Sequence, residues 1–82
     1  MKNLAFADLS GMDLRSADLR GADLRCTDLS ESDLRYAKLK DANVEGADFG
    51  CSNLSNADLR GIDLSTVWLS TRTFFDFALC NE

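Results

Sequence analysis

Fourteen carboxylates and no histidine set the chemistry open to this chain. Asp8, Asp13, Asp18, Asp23, Asp28 and Asp33 stand at every fifth residue, and Asp48, Asp58 and Asp63 keep the same phase. Carboxylates can serve as acid and base or hold a cation, but no His is present to move protons near neutral pH. No Ser or Cys stands beside a recognisable base, so an activated nucleophile is not expected either. Cys26, Cys51 and Cys80 are odd in number, at unrelated spacings, and lack a second Cys or His close enough to complete a metal motif. Free thiols in a reducing cytosol are the expectation. These residue types point to a protein that is not an enzyme, with no catalytic residue, cofactor or metal.

The wider composition narrows the partners. Nine basic against fourteen acidic residues give a net charge of −5, and no run of Lys or Arg could follow a phosphate backbone. Nucleic acid is therefore not an expected ligand. No stretch approaches the roughly 20 apolar residues of a membrane span, and Met1-Lys2-Asn3-Leu4 lacks the apolar core of a signal peptide. A soluble, cytoplasmic protein without a membrane partner is expected. Residues 1–82 suit one domain, at a size where a single core supplies only about 3–5 kcal/mol.

The elements that position the carboxylates follow from a repeat covering the whole chain. Apolar centres fall at Leu4, Leu9, Leu14, Leu19, Leu24, Leu29, Leu34, Leu39, Val44, Phe49, Leu54, Leu59, Leu64, Leu69, Phe74 and Leu79, sixteen in phase without a slip. Two residues before most centres stands a small side chain, and one before stands Asp or Asn in twelve of the sixteen units. On an α-helix, steps of five advance by about 140° beyond a full turn and scatter the centres round the circumference. On a straight strand an odd step sends successive centres to opposite faces. The pattern works if each repeat is a very short strand followed by a corner, with the centre and the residue two before it inward. Gly11, Gly21, Gly46 and Gly61 each follow a centre by two residues, where a bend gains from tolerance of positive φ.

Units such as "ADLRG", "ADLRC", "TDLSE" and "SDLRY" resemble the pentapeptide-repeat family, with its pattern A(D/N)LXX, over residues 2–81. The resemblance implies an all-β fold: a right-handed, quadrilateral parallel β-helix, here with four coils of four repeats. Centres twenty residues apart would then stack in columns, with coils about 4.8 Å apart and a rod roughly 20 Å long. On such a rod Asp8, Asp28 and Asp48 approach the carboxylate spacing of a retaining glycosidase, yet on a convex wall and not in a cleft. Flat rows of Asp also lack the oxygen ligands calcium takes.

The ends of the rod depart from the pattern. The inward small position holds Lys2 and Met12 in the first coil and Ile62, Val67, Arg72 and Phe77 in the last, which suggests plugs over an otherwise open core, and with them a complete chain. Phe75 and Trp68 fall on outward positions in this phase, and residues 67–82 form the expected C-terminal cap, with a short helical turn, or dimerisation end. Trp68, Phe74, Phe75 and Phe77 are its candidate residues. Gyrase-directed members of the resembled family dimerise at that end, so a homodimer is one expected partner arrangement.

Summed by side, the charge is uneven. The side centred on Leu9, Leu29, Phe49 and Leu69 carries Asp8, Asp28, Glu31 and Asp48 with no base, a sum of −4. The side centred on Leu19 sums to +1, with Arg20, Lys40 and Arg60 as a basic ladder. The expected function is a structural or protein-protein interaction platform, with the acidic side and the aromatics Tyr36, Trp68 and Phe75 as contacts and its protein partner unspecified. The alternative comes from the resemblance to bacterial quinolone-resistance members, which mimic DNA and bind and inhibit DNA gyrase or topoisomerase. Against it, one Asp per coil gives about one charge per 4.8 Å, whereas duplex DNA carries about one per 1.7 Å.

Overall fold

The computed structural model describes residues 2–80, and each repeat contributes one bridging residue followed by a turn. The bridging residue precedes the apolar centre and pairs in parallel with the residue twenty positions on, as Asn3 does with Asp23 and Asp8 with Asp28. Asp23 shows the rung: its N–H donates to the Lys2 carbonyl and its carbonyl accepts from the Leu4 N–H, both at 2.8 Å. Leu24 N–H and the Ala22 carbonyl then bind Asn43 in the same way, at 2.7 and 2.9 Å. Segments this short leave no continuous strand among the described residues; the ladder is a stack of isolated rungs in four columns. The result is a β-helical solenoid, in which a twenty-residue segment is here termed a coil.

The corners explain the five-residue beat. Ala7 N–H closes onto the Leu4 carbonyl at 3.0 Å with Phe6 between them at a φ of 64°, the pattern of a type II turn. Glycine supplies that left-handed conformation at four positions, as expected, but nine corner residues are not glycine. Inside, Leu24, Leu29, Leu34, Leu39, Val44, Phe49, Leu54 and Leu59 are buried, interleaved with Ala22, Ala37, Ala47 and Ala57. The hydroxyls sharing this interior are satisfied by carbonyls: Thr27 Oγ1 donates to Leu4 O at 2.8 Å, Ser32 Oγ to Leu29 O at 2.6 Å and Ser52 Oγ to Phe49 O at 2.7 Å. Among the described residues no buried side-chain polar atom lacks a partner. Leu4, Leu9 and Leu14 are half-buried beneath this core, and the Lys2 ammonium reaches across the first coil to donate to the Asp18 carbonyl. Met12 stays exposed.

The last coil corrects the expected phase. Asp48 pairs with Trp68 twenty residues on, but Asn53 pairs with Phe74 and Asp58 with Leu79, each twenty-one residues on. One extra residue is taken up between Leu69 and Thr73, where Thr73 N–H bonds the Ser70 carbonyl at 3.1 Å. The slip turns Thr73, Phe74, Phe75, Phe77, Ala78 and Leu79 over, as an odd shift must, while Asp76 stays outside. Phe74 and Leu79, expected inside, occupy the outward bridging position; Phe75, expected outside, packs against the core with Ala78. Arg72 and Phe77 are consequently exposed and do not plug the tube, whereas Ile62 is buried and Val67 packs against the core as expected. The small residue decides the phase: Thr73 takes the inward site and sends its Oγ1 to Phe49 O at 2.8 Å, as Thr27 does to Leu4.

Coil 4 is also weaker at its start. Asn43 and Asp63 form no rung, and Leu64–Thr66 is a 3-10 turn capped by the Asp63 side chain, so the short helical turn precedes residues 67–82 instead of lying within them. The molecule measures 27 × 23 × 23 Å, a stub about as long as it is wide. Among the described residues no helix is long and apolar enough to cross a membrane.

Gly61 tests the corner geometry most sharply, since a Cβ there would lie 2.0 Å from Asp41 Oδ1 and 3.2 Å from Asp41 N, at a φ of +78°. Gly61→Ala should lower the unfolding free energy by about 1–2 kcal/mol in urea titrations. Gly11→Asn, where nothing lies within 4 Å, should cost well under half of that.

Candidate functional site

The outward carboxylates are first of all parts of the corners. Each bridging Asp or Asn turns its Oδ1 onto the N–H two residues ahead, as Asn3 does to Ala5 at 3.2 Å and Asp48 to Gly50 at 2.8 Å. That N–H faces away from the ladder, and a short acceptor side chain is the nearest group able to satisfy it. The recurrent Asp is thus explained by backbone chemistry before any ligand is invoked.

The residue after the centre decides whether the carboxylate keeps its charge. In Asp-Leu-Arg units the guanidinium folds back in a two-point grip: Arg15 Nε to Asp13 Oδ1 at 2.9 Å and Nη2 to Oδ2 at 2.8 Å. Asp18–Arg20, Asp23–Arg25, Asp33–Arg35 and Asp58–Arg60 repeat it. In Asp-Leu-Ser units a neutral hydroxyl takes the arginine's place, as Ser10 Oγ does on Asp8 at 2.7 Å and Ser30 Oγ on Asp28 at 2.6 Å. The column of Asp8, Asp28 and Asp48 therefore has carboxylates that no base among the described residues neutralises, and Glu31 stands exposed at a corner beside it. The bridging column ends on Trp68, paired with Asp48. The basic ladder of Arg20, Lys40 and Arg60 is reduced in the same way, because Arg20 and Arg60 are each tied to an Asp.

The candidate aromatics are redistributed by the slip. Trp68, Phe74 and Leu79 replace Asp or Asn at the bridging position on three adjoining columns of the last coil, 71%, 49% and 54% exposed. Phe77 stands at a corner between two of them, 86% exposed. Together they make an apolar collar round the C-terminal coil, from which Phe75 is missing. Tyr36 lies two coils below Phe77 on the same corner column, beside an open concavity of about 530 Å³ lined by Asp13, Arg15, Ser16 and Arg35. Sequence reasoning also passed over Phe6, an exposed aromatic whose corner position was legible from its place two residues after Leu4. Leu69 and Phe75 N–H groups, which in lower coils would donate to the next coil, have no acceptor among the described residues. The described residues hold no group of three or more His, Cys, Asp or Glu able to bind a metal. Cys26, Cys51 and Cys80 are exposed and free, the first two at corners.

The two-point grip lowers the affinity of these carboxyls for protons. The Arg15 side chain, then its backbone N–H, holds the Asp13 carboxyl down to about 2 from 3.8, and Arg60 does the same for Asp58, also to about 2. Asp18, Asp23 and Asp33 are lowered by their own arginines, and Asp8 and Asp63 by serine hydroxyls. A carboxyl with a depressed folded pKa stabilises the fold above its unfolded value and loses that contribution as pH falls through the folded one. The melting temperature should therefore be flat above pH 4 and fall between pH 3.8 and about 2, followed by circular dichroism. Asp13→Asn with Asp58→Asn should flatten that fall, and salt should shrink it, since these pairs face solvent.

Comparison with known proteins agrees with this architecture. A sequence profile described as pentapeptide repeats matches residues 3–35 and 27–65, in eight copies. The structure resembles that of alr5209, a pentapeptide repeat protein from Nostoc PCC 7120, with a TM-score of 0.80 and 23% identity over 96% of this chain and 80% of that one. HetL of Nostoc sp. strain PCC 7120, a pentapeptide repeat protein involved in heterocyst differentiation regulation, is 31% identical over 94% of this chain but only 38% of its own, with a TM-score of 0.49. Rfr23 from Cyanothece 51142 is 32% identical over 98% of this chain and 57% of its own, with a TM-score of 0.38. No curated protein matches the sequence. With repeats recognised over most of its length and the bridging, turn and inward positions filled as that pattern requires, the chain belongs to the pentapeptide-repeat family.

Proposed function

We propose that the chain is a non-enzymatic, right-handed, four-sided β-helix of the bacterial cytoplasm whose outer walls bind other proteins. One observation carries this reading: three of its four most exposed aromatics stand where the fold gains least from them. Phe6, Tyr36 and Phe77 occupy corners at φ of 64°, 62° and 61°, solvent-exposed on the outer wall. An L-residue in that conformation costs about 1–2 kcal/mol relative to the right-handed form, and Gly, Asn or Asp would carry it more cheaply. Aromatics are enriched at protein interfaces, where their area is recovered on binding. The collar of Trp68, Phe74, Phe77 and Leu79 is the largest such cluster, next to the unbonded N–H groups of Leu69 and Phe75. Residues 67–82 serve as the contact end, and a second copy of the chain is the simplest partner there.

A second reading, a DNA mimic that binds and inhibits gyrase or topoisomerase, is favoured by the column of Asp8, Asp28 and Asp48 with Glu31, which holds its negative charge while the Asp-Leu-Arg units cancel theirs. Its charge density falls short of duplex DNA, at about one per 4.8 Å against about one per 1.7 Å.

Two measurements separate these readings. Sedimentation at tens of micromolar should show a dimer that Trp68→Asp with Phe77→Asp returns to monomer; a wild-type monomer at hundreds of micromolar removes the homodimer. Gyrase supercoiling should be unaffected by the protein at tens of micromolar; inhibition relieved by Asp28→Asn with Asp48→Asn would instead establish mimicry.

A further inference from the structure

The sequence of the last coil satisfies two registers, and the structure displays one of them. In the register seen, Thr73, Phe75 and Ala78 face the core, while Phe74 and Leu79 bridge from the outside. Had the beat of five continued, Phe74 and Leu79 would be the inward centres, and the corner would fall on Asp76 in place of Phe77.

Each register has defects that the other repairs. The slipped one leaves Phe74 and Leu79 about half exposed and puts a phenylalanine at a left-handed corner. The in-phase one would turn both side chains toward the interior, though Leu69, a centre of the same coil, is itself exposed, and give the corner to an aspartate, which tolerates that conformation better. It would also forfeit the Thr73 bond to Phe49 and the packing of Phe75 and Ala78, and it would aim Arg72 toward the interior. Among the described residues none stacks on this coil, so a long side chain can carry its charged head out past its edge. Neither register is excluded by an unpaired buried charge.

Among the described residues the segment is held from one side only, with the same rungs that join coil 3 to coil 2. Residues 70–80 join coil 3 through five backbone bonds, from Leu54, Asn56 and Leu59 to the carbonyls of Phe74, Asp76 and Leu79, and from Phe74 and Leu79 to those of Ser52 and Ala57. The rung that should anchor the start of coil 4, between Asn43 and Asp63, is absent. The spare residue is stored at Ser70–Arg72, where Ser70 Oγ accepts from Arg72 N at 3.2 Å and from Cys51 N at 2.9 Å.

We propose that residues 70–80 exchange between these two registers on coil 3, so that the apolar collar is a surface the chain can display or withdraw. In the in-phase register Phe74 and Leu79 leave the wall and Phe75 takes the outward place beside Asp76. Anything that grips Phe74 and Leu79 selects the slipped register by differential affinity. The exchange requires a one-residue shift of a packed edge segment, a motion of the microsecond-to-millisecond class. It rests on the pairing of coil 4 alone and holds whether or not the collar has a partner.

The test is fluorine NMR on the full chain with 4-fluorophenylalanine at its five Phe positions. Phe74, Phe75 and Phe77 should give doubled or exchange-broadened resonances while Phe6, in the first coil, remains single. Phe74→Asp places an acid at the outward site of the slipped register and should drive Phe77 to one end of its shift range. Phe75→Asp would bury an acid in the slipped register, and should drive Phe77 to the other end with Phe6 unmoved. Single sharp resonances for Phe74, Phe75 and Phe77, with Phe77 unmoved by either variant, overturn the proposal. So does loss of amide protection at Leu54 and Leu59 in Phe75→Asp, which would mean that the coil detaches instead of re-registering.

Discussion

Everything in this protein depends on the obligation to turn left-handed once in every repeat. A bonded corner with positive φ after each apolar centre of coils 1 to 3 converts an odd sequence period, which no straight strand or helix could bury, into a wall with a constant inward face. The corner leaves one outward N–H unsatisfied, and the preceding Asp or Asn accepts from it. The narrowness of the space enclosed then demands Ala, Ser or Thr between the larger centres, with each buried hydroxyl donating to a carbonyl of the wall. Corner, carboxylate and small residue are three consequences of one constraint.

Much of this was legible in the sequence because the constraint repeats. The inward pair, the bends and the capping role of Asp all follow from residues such as Ala22, Asp23, Leu24 and Gly21, and coils 1 to 3 obey them except at Met12, which stays exposed, and Lys38, which bridges where Asp or Asn would cap. Coil 4 misled because Phe74 and Phe75 are adjacent and both apolar, so the centre alone could not fix the phase. The informative residues were the small ones. Thr73 and Ala78 match the inward site only if the phase moves by one, and the polar interior of the tube, with its carbonyl awaiting a hydroxyl, prefers Thr73 there to Arg72.

The surface was legible in outline but not in charge. Counting residues by side gives equal weight to every Asp, whereas a two-point guanidinium grip and a serine hydroxyl leave very different fields. Whether Leu is followed by Arg or Ser therefore sets the electrostatic pattern of a wall whose backbone is the same throughout. The aromatic corners were harder to foresee, because nothing in the five-residue pattern favours Phe6, Tyr36 or Phe77 over glycine or asparagine.

The Lys2 ammonium, laid across the first coil to the Asp18 carbonyl, gives the solenoid a polarity of assembly. A stack of parallel rungs is a natural seed for endless head-to-tail polymers, since each exposed edge offers the template for the next molecule. Any copy adding to this amino-terminal edge would have to displace or bury that cation and the Asp18 carboxylate near it, which a dry strand-to-strand joint disfavours. A single lysine thus sets this edge of the first coil against strand-to-strand addition.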